Sequence, residues 1–570
     1  MADLSQVTPV NFALQGGLVL NKSTFAMQPG EALELINFEP DIEGGYRRIN
    51  GFSKYNTNIV PQTSASSEEV LMSTFFNDNI IAARGEKIFR STNGSTTISQ
   101  DHNASVTTIT VASTTGFTST GTIIIGSEQI TYTGTTSTTF TGATRGANST
   151  SAASHTSGAT VTQYWTEIDT GRTSAGVYTF EEFNFDNNLK FVVADGNNAP
   201  TVFNTSFTAT DVSASAVAGA KFVASFRDHM FYAGMSSTPQ ELVFSKPFDE
   251  DDFSSGAGSG TIAVDATITG IKVFRDNLFI FCENRIFKLA GSSVSDFTIS
   301  DVTRNIGCIN GQTIQEFSGD LIFLAPDGLR TVAGTARIGD VELGTISTPI
   351  QTVFNDNIAN SDAFRSVVIP NKTQYRLFFS KSDVTEANTN GVVCSLRGQQ
   401  FEFGKLQGIK PSSTGIQVTT TGTTIVHGGA DGYVYQQESG NDFDGTAVNA
   451  KYRSPDLSFG DAGIRKHLQR VLVSYKPEAA VNADLFLRYD YEDPDSPRPA
   501  AYSLSAADIV AVYGSATYGV ATYGGQTEPL LRQSVEGSGF TVALRVNDDG
   551  TSAPYALRGF GLEYQVGARR

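Results

Sequence analysis

Cysteine is almost absent from this sequence, with three residues in 570, at positions 282, 308 and 394. They are too few and too scattered to form a disulfide framework. Cys282 lies inside an apolar run and is expected to be a small buried hydrophobic residue. The five histidines do not cluster with the cysteines, so the sequence predicts no zinc site and no cofactor.

Long apolar runs are also missing. No stretch approaches the roughly 20 apolar residues that a membrane helix needs. The first residues, Met1–Leu4, lack the basic and apolar regions of a signal peptide. We therefore expect a soluble protein that is made in a cytoplasm.

Charged residues are scarce, at 17% of the sequence against about 25% in average soluble domains. The 58 acidic and 40 basic residues give a net charge of −18. A groove that grips nucleic acid needs clustered Lys and Arg, and no such cluster is visible. An acidic wall would instead let DNA slide past without sticking. The alternative is that the charge only aids solubility.

Helical periodicity is the last feature that the sequence largely lacks. The exceptions are residues 349–354 and 506–512, where we predict one short helix each. The 55 Gly and 39 Phe are typical of short strands joined by tight turns. The sequence therefore predicts an all-β protein, long enough to bury substantial cores.

What the sequence does contain is a unit that recurs every 42 to 48 residues. It consists of a Phe, a polar residue, Asp, Asn or a similar residue, and then an apolar run. Its clearest copies begin at Phe76, Phe185, Phe226, Phe274 and Phe317. A spacing near 45 with several short strands per unit is typical of a β-propeller blade.

Each copy has the features of a β-hairpin, because two apolar strands flank a polar turn that tolerates positive φ. Two weaker units extend the series. In one, residues 366–369 turn at 371–372 into 375–379; in the other, 424–427 turn through 431–432 into 433–435. The sequence thus predicts a propeller of six or seven blades. An ordinary β-sandwich with evenly spaced hairpins is the alternative.

A foreign segment interrupts the first interval of the repeat. Residues 101–163 contain 29 Ser or Thr among 63 residues, and their charged side chains are Asp101, Glu128 and Arg145. Alternating apolar and polar residues predict a small inserted β-module. It could brace subunits, contact fibres or bind sugar weakly, and the alternative is an inert surface decoration.

The C-terminal region, 449–570, contains several runs of alternating apolar and polar residues that predict a β-sandwich. A Tyr-Gly pair recurs there every five residues, at Tyr513, Tyr518 and Tyr523. Tyr beside Gly suits a ring of loops, since an aromatic side chain packs well on a neighbour's bare backbone. A flexible exposed loop is the alternative. The Lys466-His467 pair, flanked by Arg465 and Arg470, is better explained as an interface patch than as a catalytic base.

The predicted domains are an N-terminal β-segment, a propeller, the inserted module and a C-terminal β-sandwich. The N-terminal segment is expected to pack with the C-terminal region or to line a channel. The boundaries are 1–55 for the N-terminal segment, 56–100 and 164–448 for the propeller, 101–163 for the module, and 449–570 for the C-terminal region.

The N-terminal residues carry a resemblance to a known family. In order they read Gly16-Gly17-Leu18, Pro29-Gly30-Glu31-Ala32, Asn37-Phe38, Gly44-Gly45-Tyr46-Arg47-Arg48 and Gly51-Phe52. This order resembles the start of the tail nozzle proteins of short-tailed bacteriophages, also called tail tube or stabilisation proteins. Leu242–Pro247 with the acidic run 249–252, and the C-terminal region, resemble the same family. The inserted module lies outside the family's basic plan.

The resemblance implies a structural virion protein of the phage tail, made in the cytoplasm of the bacterial host. Such a protein forms a ring, a homohexamer, that continues the DNA channel below the adaptor or portal, retains the genome, conducts it during ejection and anchors fibres. Its partners would be further copies of itself, the adaptor, fibre or spike proteins, and viral DNA in passage without specific binding, with the host surface as a further candidate. Candidate subunit-interface residues are Arg47, Arg48, Arg465, Lys466, Tyr513, Tyr518 and Tyr523.

No catalytic constellation is visible in the sequence. The acidic runs 249–252 and 490–495 lack the ligand spacing and central Gly of a calcium loop, and no nucleophile elbow is present. We therefore expect no enzyme and no catalytic, cofactor-binding or metal-binding residue. A glycan-binding propeller, either a lectin or a receptor-binding protein, is the alternative function, followed by a polysaccharide-degrading enzyme on a propeller scaffold.

Overall fold

The structure is a computed structural model that describes residues 7–61, 68–148, 150–254, 256, 258–332, 345–379, 389–420, 422–478, 481–506 and 530–569. Nearly all of its regular structure is antiparallel β-sheet, which confirms the predicted all-β class. In the described part of the chain, no helix is long and apolar enough to cross a membrane.

Five short strands precede the first blade, and they serve different sheets. They are β1 (Thr8–Ala13), β2 (Glu34–Ile36), β3 (Phe38–Pro40), β4 (Tyr46–Arg48) and β5 (Phe52–Lys54).

Blade 1 carries the inserted module between its third and fourth strands. Its strands are β6 (Val70–Phe76), β7 (Asn79–Arg84), β8 (Lys87–Thr97) and, after the module, β15 (Thr160–Thr170). The module contains β9 (Thr108–Thr110), β10 (Gly121–Ile125), β11 (Glu128–Tyr132), β12 (Gly134–Thr135), β13 (Thr139–Thr141) and β14 (Thr144–Ala147). Because β8 and β15 run on from the blade into the module, the two share one sheet.

Blades 2, 3 and 4 are four-stranded antiparallel meanders. Blade 2 consists of β16 (Thr179–Phe185), β17 (Asn188–Ala194), β18 (Thr201–Asn204) and β19 (Ala209–Asp211). Blade 3 consists of β20 (Phe222–Phe226), β21 (His229–Ala233), β22 (Glu241–Phe244) and β23 (Gly260–Ala263). Blade 4 consists of β24 (Ile268–Phe274), β25 (Asn277–Cys282), β26 (Ile286–Ala290) and β27 (Thr298–Thr303).

Blades 5, 6 and 7 complete the series, with a short helix between the first two. Blade 5 has β28 (Gln315–Phe317), β29 (Asp320–Ala325) and β30 (Gly328–Thr331), and helix α1 (Gln351–Asn357) follows. Blade 6 has β31 (Arg365–Ile369), β32 (Gln374–Phe378), β33 (Gly391–Arg397) and β34 (Gln400–Leu406). Blade 7 has β35 (Ser413–Thr419), β36 (Gly422–Gly428) and β37 (Val434–Gln437). Helix α1 confirms the prediction at 349–354, whereas most of the other predicted helix, at 506–512, lies outside the described residues.

The seven blades form a closed ring, because a buried apolar seam joins each blade to the next. Full burial of one such side chain contributes about 1.5–3 kcal/mol. Representative pairs, from the seam of blades 1 and 2 around to that of blades 7 and 1, are Phe76 with Phe191, Val192 with Tyr232, Phe231 with Ile280, Phe281 with Phe323, Phe317 with Tyr375, Phe378 with Ile425, and Val426 with Ile80.

The start of the chain closes the ring. Strand β5 pairs antiparallel with β37, with Lys54 opposite Tyr435, and so supplies the outermost strand of blade 7. Near the centre, the Ser73 and Ser413 hydroxyls of blades 1 and 7 form a 3.0 Å hydrogen bond. The described sheets thus give seven blades, the upper of the two predicted counts.

The recurring sequence unit is the hairpin between the first two strands of a blade. In blades 1 to 5 its Phe pairs with the residue three positions on, across a two-residue turn. Both turn residues have positive φ, for example 45° at Arg275 and 61° at Asp276. This is the backbone of a type I′ turn, whose twist matches that of the two strands.

The weaker units behave differently. In blade 6 the hairpin runs from Ile369 to Gln374 through a 3-10 turn, at the predicted place. In blade 7 the predicted turn at Asp431-Gly432 joins the second and third strands. The inner hairpin lies earlier, between Thr419 and Gly422, where no Phe-polar-Asp pattern marks it.

The two ends of the chain build a second body beside the propeller. Its strands are β38 (Ala450–Arg453), β39 (Ile464–Pro477), β40 (Val481–Tyr489), β41 (Tyr502–Ala506), β42 (Leu530–Ser534), β43 (Ser538–Gly539), β44 (Val542–Asp548) and β45 (Tyr555–Arg569). One sheet has the order β3-β4-β45-β39-β42, with β1 also on β45 and β43 also on β39. The other sheet has the order β2-β38-β44-β40-β41. We call this body the terminal sandwich.

The second sheet of the terminal sandwich is continuous with blade 6. Strand β2 pairs in parallel with β34 on one side and antiparallel with β38 on the other, which makes one nine-stranded sheet. A single apolar core spans the sandwich and blades 5 and 6, and includes Phe38, Tyr452 and Phe560. The propeller and the sandwich are therefore fused through backbone hydrogen bonds and a shared core.

Candidate functional site

The inner strands of the propeller surround a cavity of about 300 Å³ on the ring axis. It is lined by β16, β20, β24, β31, β35 and the turn before β28. A cavity of this size holds a small molecule at most. It is far too small for a DNA duplex, whose major groove alone is about 12 Å wide. Any DNA channel must therefore lie outside the axis of a single propeller.

Two charged side chains line this cavity, Glu181 and Lys272. The Glu181 carboxylate accepts a hydrogen bond from the Ser225 hydroxyl at 2.8 Å. Burial raises the pKa of Glu181, and Lys272 and Ser225 offset only part of that rise. Glycoside hydrolysis ordinarily needs a pair of carboxylates flanking the bond, and among the described residues that line the cavity only Glu181 has one.

The hairpin tips around the ring are tied to one another. Arg227 of blade 3 donates to the Asp276 carbonyl of blade 4 at 3.3 Å, and Arg275 of blade 4 donates to the Gly319 carbonyl of blade 5. From blade 7, Gln417 reaches the Asp78 carboxylate of blade 1 at 3.3 Å. The polar residues of the repeat therefore form hydrogen bonds between neighbouring blades, which is a structural role.

An ionic cluster joins the terminal sandwich to blades 6 and 7. Glu39 on β3 lies 2.9 Å from the Arg376 guanidinium and 2.7 Å from the Lys372 ammonium. Arg376 is also 2.6 Å from Glu438, at the end of blade 7. Arg47 extends the cluster at 3.1 Å from Glu39. We call these five residues the buried ionic cluster.

The carboxylates of this cluster stay ionised although they are buried. Burial alone would raise the pKa of Glu438, but Arg376 and Lys372 lower it to about 2. Burial would also raise the pKa of Glu39. Lys372 and Arg376 outweigh that effect, so the pKa of Glu39 is lowered. The cluster is therefore charged at neutral pH and binds three chain segments to one another.

Two predicted interface residues, Arg47 and Arg48, lie on β4 and bind within the chain. The Arg48 side chain is fully buried, with its Nε 3.2 Å from the Asp548 carboxylate, and it donates to the Gly550 carbonyl at 2.6 Å. A guanidinium in this position cannot reach a neighbouring subunit, so the interface role predicted for Arg48 does not fit the structure. Arg47 is half-buried and also pairs with Glu478 at 2.6 Å.

Arg465 and Lys466 lie together at the start of β39. Lys466 is buried and donates to the Asp461 carbonyl at 2.5 Å; burial lowers its pKa. Arg465 is partly exposed, and its guanidinium lies 4.9 Å from the centre of the Phe540 ring. Of this pair, Arg465 is the more exposed, and its interface role stays a prediction. Tyr513, Tyr518 and Tyr523 lie outside the described residues.

The two acidic runs have structural partners. Asp251 accepts from the Ser213 amide at 2.8 Å, and Glu250 pairs with Lys190. In the second run, Asp490 accepts from the Phe540 amide at 2.6 Å and Glu492 pairs with Arg545 at 2.5 Å. Within the parts of the chain described above, no three His, Cys, Asp or Glu residues are grouped to hold a metal ion.

The three cysteines are free and buried. Burial raises the pKa of Cys282 and of Cys308 to about 12, and it also raises the pKa of Cys394. A buried thiol with a raised pKa is a poor nucleophile. The three side chains pack as small hydrophobic residues, as predicted for Cys282.

The buried ionic cluster could not be predicted from the sequence. Glu39 and Arg376 are 337 positions apart, and neither lies in an unusual local pattern. The sequence predicts a β-segment around Glu39 and a hairpin strand around Arg376, but it does not reveal that the two strands become neighbours.

This architecture defines a class: an all-β protein in which a seven-bladed propeller is fused to a sandwich made by both chain ends. No family model and no curated protein matches the chain. Solved structures that resemble it include Raptor from Chaetomium thermophilum, at 8% identity and a TM-score of 0.31 over 62% of this chain. The chain spans only 29% of the length of that Raptor structure.

Two further likenesses are to shorter proteins. The C-terminal WD40 domain of Sif2 shows 10% identity and a TM-score of 0.30, over 68% of this chain and 98% of that one. An exo-β-1,3-galactanase from Phanerochaete chrysosporium shows 8% identity and a TM-score of 0.23, over 89% of this chain and 100% of that one. Scores this low carry no argument about function. The propeller is defined by the strand pairing described above.

Proposed function

We propose that this protein is the tail nozzle of a short-tailed bacteriophage, a structural subunit that works mechanically and without a catalytic group. In this proposal it forms a homohexameric ring below the adaptor, continues the DNA channel, retains the genome and conducts it during ejection. Fibres or spikes attach around the ring. The proposal rests on the resemblance in the sequence together with the rigid fusion of the propeller to the terminal sandwich.

The fusion is the observation that carries the proposal. A channel under internal pressure needs subunits without a hinge. In this protein a nine-stranded sheet, one apolar core and the buried ionic cluster all cross the boundary between the propeller and the terminal sandwich. Interfaces that permit domain motion are typically smaller and more polar.

The segment that carries the resemblance also lies at this boundary. A Cβ on Gly17 would lie 2.7 Å from the Phe403 backbone nitrogen of blade 6. A Cβ on Gly45 would lie 2.0 Å from the Leu557 carbonyl oxygen of β45. Both glycines have positive φ, 66° and 82°. Their lack of a side chain lets the N-terminal segment pack directly on both bodies.

The small axial cavity supports an arrangement in which DNA passes between subunits. The centre of one propeller cannot admit a duplex, so the lumen of a nozzle would have to run along the symmetry axis that relates the six subunits. A closed ring of this kind needs heterologous contacts repeated around that axis.

Electron microscopy of the assembled particle, with antibody labelling of this chain, tests the proposal. We expect the density of this protein in a ring directly below the adaptor, with six copies around the channel. Density confined to a receptor-binding fibre, together with glycan binding by the isolated subunit, would support the lectin alternative and overturn the nozzle.

A further inference from the structure

The axial cavity of the propeller contains two opposite charges that do not form an ion pair. Glu181 lies on β16 of blade 2 and Lys272 on β24 of blade 4, and both line the cavity. Lys272 is half-buried, and among the described residues its ammonium has no hydrogen-bond or ion-pair partner. Its charge reaches Glu181 only at longer range, where it lowers the pKa of that carboxyl. A partly buried ammonium without a partner is unfavourable, so the cavity lacks an acceptor beside Lys272.

The Glu181 carboxylate is held in place but only half used. The Ser225 hydroxyl and the Ser225 amide donate to it at 2.8 Å and 3.4 Å, and both hydrogen bonds go to the same oxygen, Oε1. The other oxygen, Oε2, accepts no hydrogen bond from the part of the chain that the structure describes. The cavity therefore offers a positioned acceptor at Glu181 and a free donor at Lys272.

Hydrogen bonds between blades fix the walls of the cavity. The Ser366 hydroxyl of blade 6 donates to the Gln312 carbonyl at 2.7 Å, and the Thr414 hydroxyl of blade 7 donates to the Ser366 carbonyl at 2.8 Å. The Gln312 side chain donates to the Tyr178 carbonyl, just before blade 2, at 3.1 Å. A site whose walls are already ordered loses little conformational entropy when a ligand binds.

The size and the apolar part of the lining restrict the ligand further. The volume of about 300 Å³ is at the lower end of the range of about 300–1,000 Å³ for small-molecule sites. Apolar side chains complete the wall, among them Phe180, Ile271 and Ile416. The cavity therefore suits a small molecule with a short apolar group.

The two charges select the class of ligand. A simple anion would be attracted by Lys272 but repelled by Glu181, and the reverse holds for a simple cation. A molecule that carries both charges can pair with each of them, and its own charges cancel. Hydrogen bonds that involve ionised groups are the strong ones, so a zwitterion gains the most from this site.

We propose that the axial cavity binds a small zwitterion of the α-amino acid type. The Lys272 ammonium donates to the ligand carboxylate, the ligand ammonium donates to Glu181, and the ligand side chain packs against the apolar wall. The site lies within one propeller, so the inference goes beyond the nozzle proposed above and does not depend on it.

Calorimetric titration of the full-length chain with alanine tests the inference. Propionate and ethylamine are the matched probes, because each keeps the small apolar group and lacks one of the two charges. We expect alanine to bind in the millimolar range or tighter, and each probe to bind about tenfold more weakly or worse. Alanine should also raise the thermal midpoint, because a ligand that binds only the folded state stabilises it.

Variants of the two charged residues test their roles separately. Lys272→Met and Glu181→Gln should each weaken alanine binding by about tenfold or more. The control variants are Lys288→Met, on the same blade but away from the cavity, and Glu182→Gln, the exposed neighbour of Glu181. Both controls should bind alanine like the wild type.

Three results would overturn the inference. They are the absence of both heat and a thermal shift with alanine in the millimolar range, propionate binding as tight as that of alanine, and unchanged affinity in both cavity variants. The comparison of alanine with its two probes uses only the wild type, so it decides the question even where a variant does not fold. None of these results bears on the nozzle, which particle imaging tests.

Discussion

The Arg376 guanidinium of blade 6 lies 2.9 Å from the Glu39 carboxylate of the N-terminal segment, and both side chains are 1% exposed. An ion pair so deeply buried is stable only when both charges are fully engaged. Lys372 and Glu438 provide the further charges that this pair requires. The attachment of the sandwich to the propeller therefore depends on a few specific side chains.

Removal of one charge from this cluster should be costly. We expect Arg376→Met to lower the free energy of unfolding by about 3–5 kcal/mol, because Glu39 and Glu438 are left buried without one of the two cations that both of them contact. Urea unfolding followed by circular dichroism measures the loss. Lys87→Ala is the control: it breaks an exposed pair with Glu167 and should cost no more than about 1 kcal/mol. Equal losses in the two variants would contradict the role of the cluster.

The type I′ turns predict opposite effects for two substitutions at one position. Asp276 has a φ of 61°, so Asp276→Gly should keep or raise stability, whereas Asp276→Val should lower it by roughly 1–3 kcal/mol. Val is β-branched and the left-handed region is highly unfavourable for it. Thermal unfolding of both variants against wild type gives the comparison. A Val variant as stable as the Gly variant would mean that the turn relaxes to another conformation.

His427 should make blade 7 sensitive to mild acid. Burial lowers the pKa of His427 to about 3, whereas an unfolded histidine titrates near 6.5. The unfolded state therefore binds a proton that the folded state does not between these values, and stability falls as pH decreases below about 6.5, by up to about 1.4 kcal/mol per unit. Above that pH the contribution is complete.

The His427→Phe variant isolates this effect. It keeps an aromatic ring beside Phe52 and Tyr435, whose ring centres lie 5.0 Å and 5.1 Å from that of His427, but it cannot titrate. Unfolding free energies measured from pH 7 to pH 5 should fall less steeply in the variant than in the wild type. Identical slopes would show that His427 is protonated in the folded protein over this range.

The inserted module should unfold separately when its central carboxylate is neutralised. Glu128 accepts from Arg145 at 2.8 Å and 2.7 Å and from His155 at 2.6 Å. Burial opposes ionisation, but Arg145, the Ala153 amide and His155 lower the pKa of Glu128 to about 2. Glu128→Gln leaves the Arg145 charge without its counterion.

Hydrogen exchange resolves where that destabilisation acts. Amides in residues 98–161 should exchange far faster in Glu128→Gln, while blades 3 and 4 keep their protection, because the module has its own core around Ile123 and Phe140. Asp101→Asn is the control, since Asp101 is exposed and its carboxylate accepts a hydrogen bond from the Ser157 amide at 2.8 Å, which an Asn side-chain oxygen can also accept. Loss of protection throughout the blades would show that module and propeller fold as one unit.

The local features of this fold could be predicted from the sequence. The Phe-polar-Asp pattern marks hairpins because both residues of a type I′ turn have positive φ, which restricts the residue types at those two positions. The inserted module could be predicted because its Ser- and Thr-rich composition differs from that of the sequence on either side. Long-range pairings could not be predicted: the sequence indicates a β-segment at 1–55, but it does not show that β5 completes blade 7 and that β2 extends blade 6.

The candidate interface shows the same limit. Arg48 was predicted from its place in a motif, yet its partner Asp548 is contributed by the far end of the chain. Asp490, Tyr491 and Glu492 form a turn after β40 with φ values of 50°, 57° and 63°, although none of the three is Gly and the sequence carries no positive-φ signal there. Contacts from Phe540, Thr541 and Arg545 hold this turn, and they lie close to it only in the folded sandwich.

The closure of blade 7 by β5 also sets an order of events during synthesis. Lys54 leaves the ribosome about 380 residues before its partner Tyr435, a delay of roughly 20–80 s at bacterial to eukaryotic elongation rates. Throughout that interval β5 has no strand to pair with and the propeller is open. Completion of the propeller must therefore wait until about three quarters of the polypeptide has been translated, and the unpaired N-terminal strand β5 is where misassembly would begin.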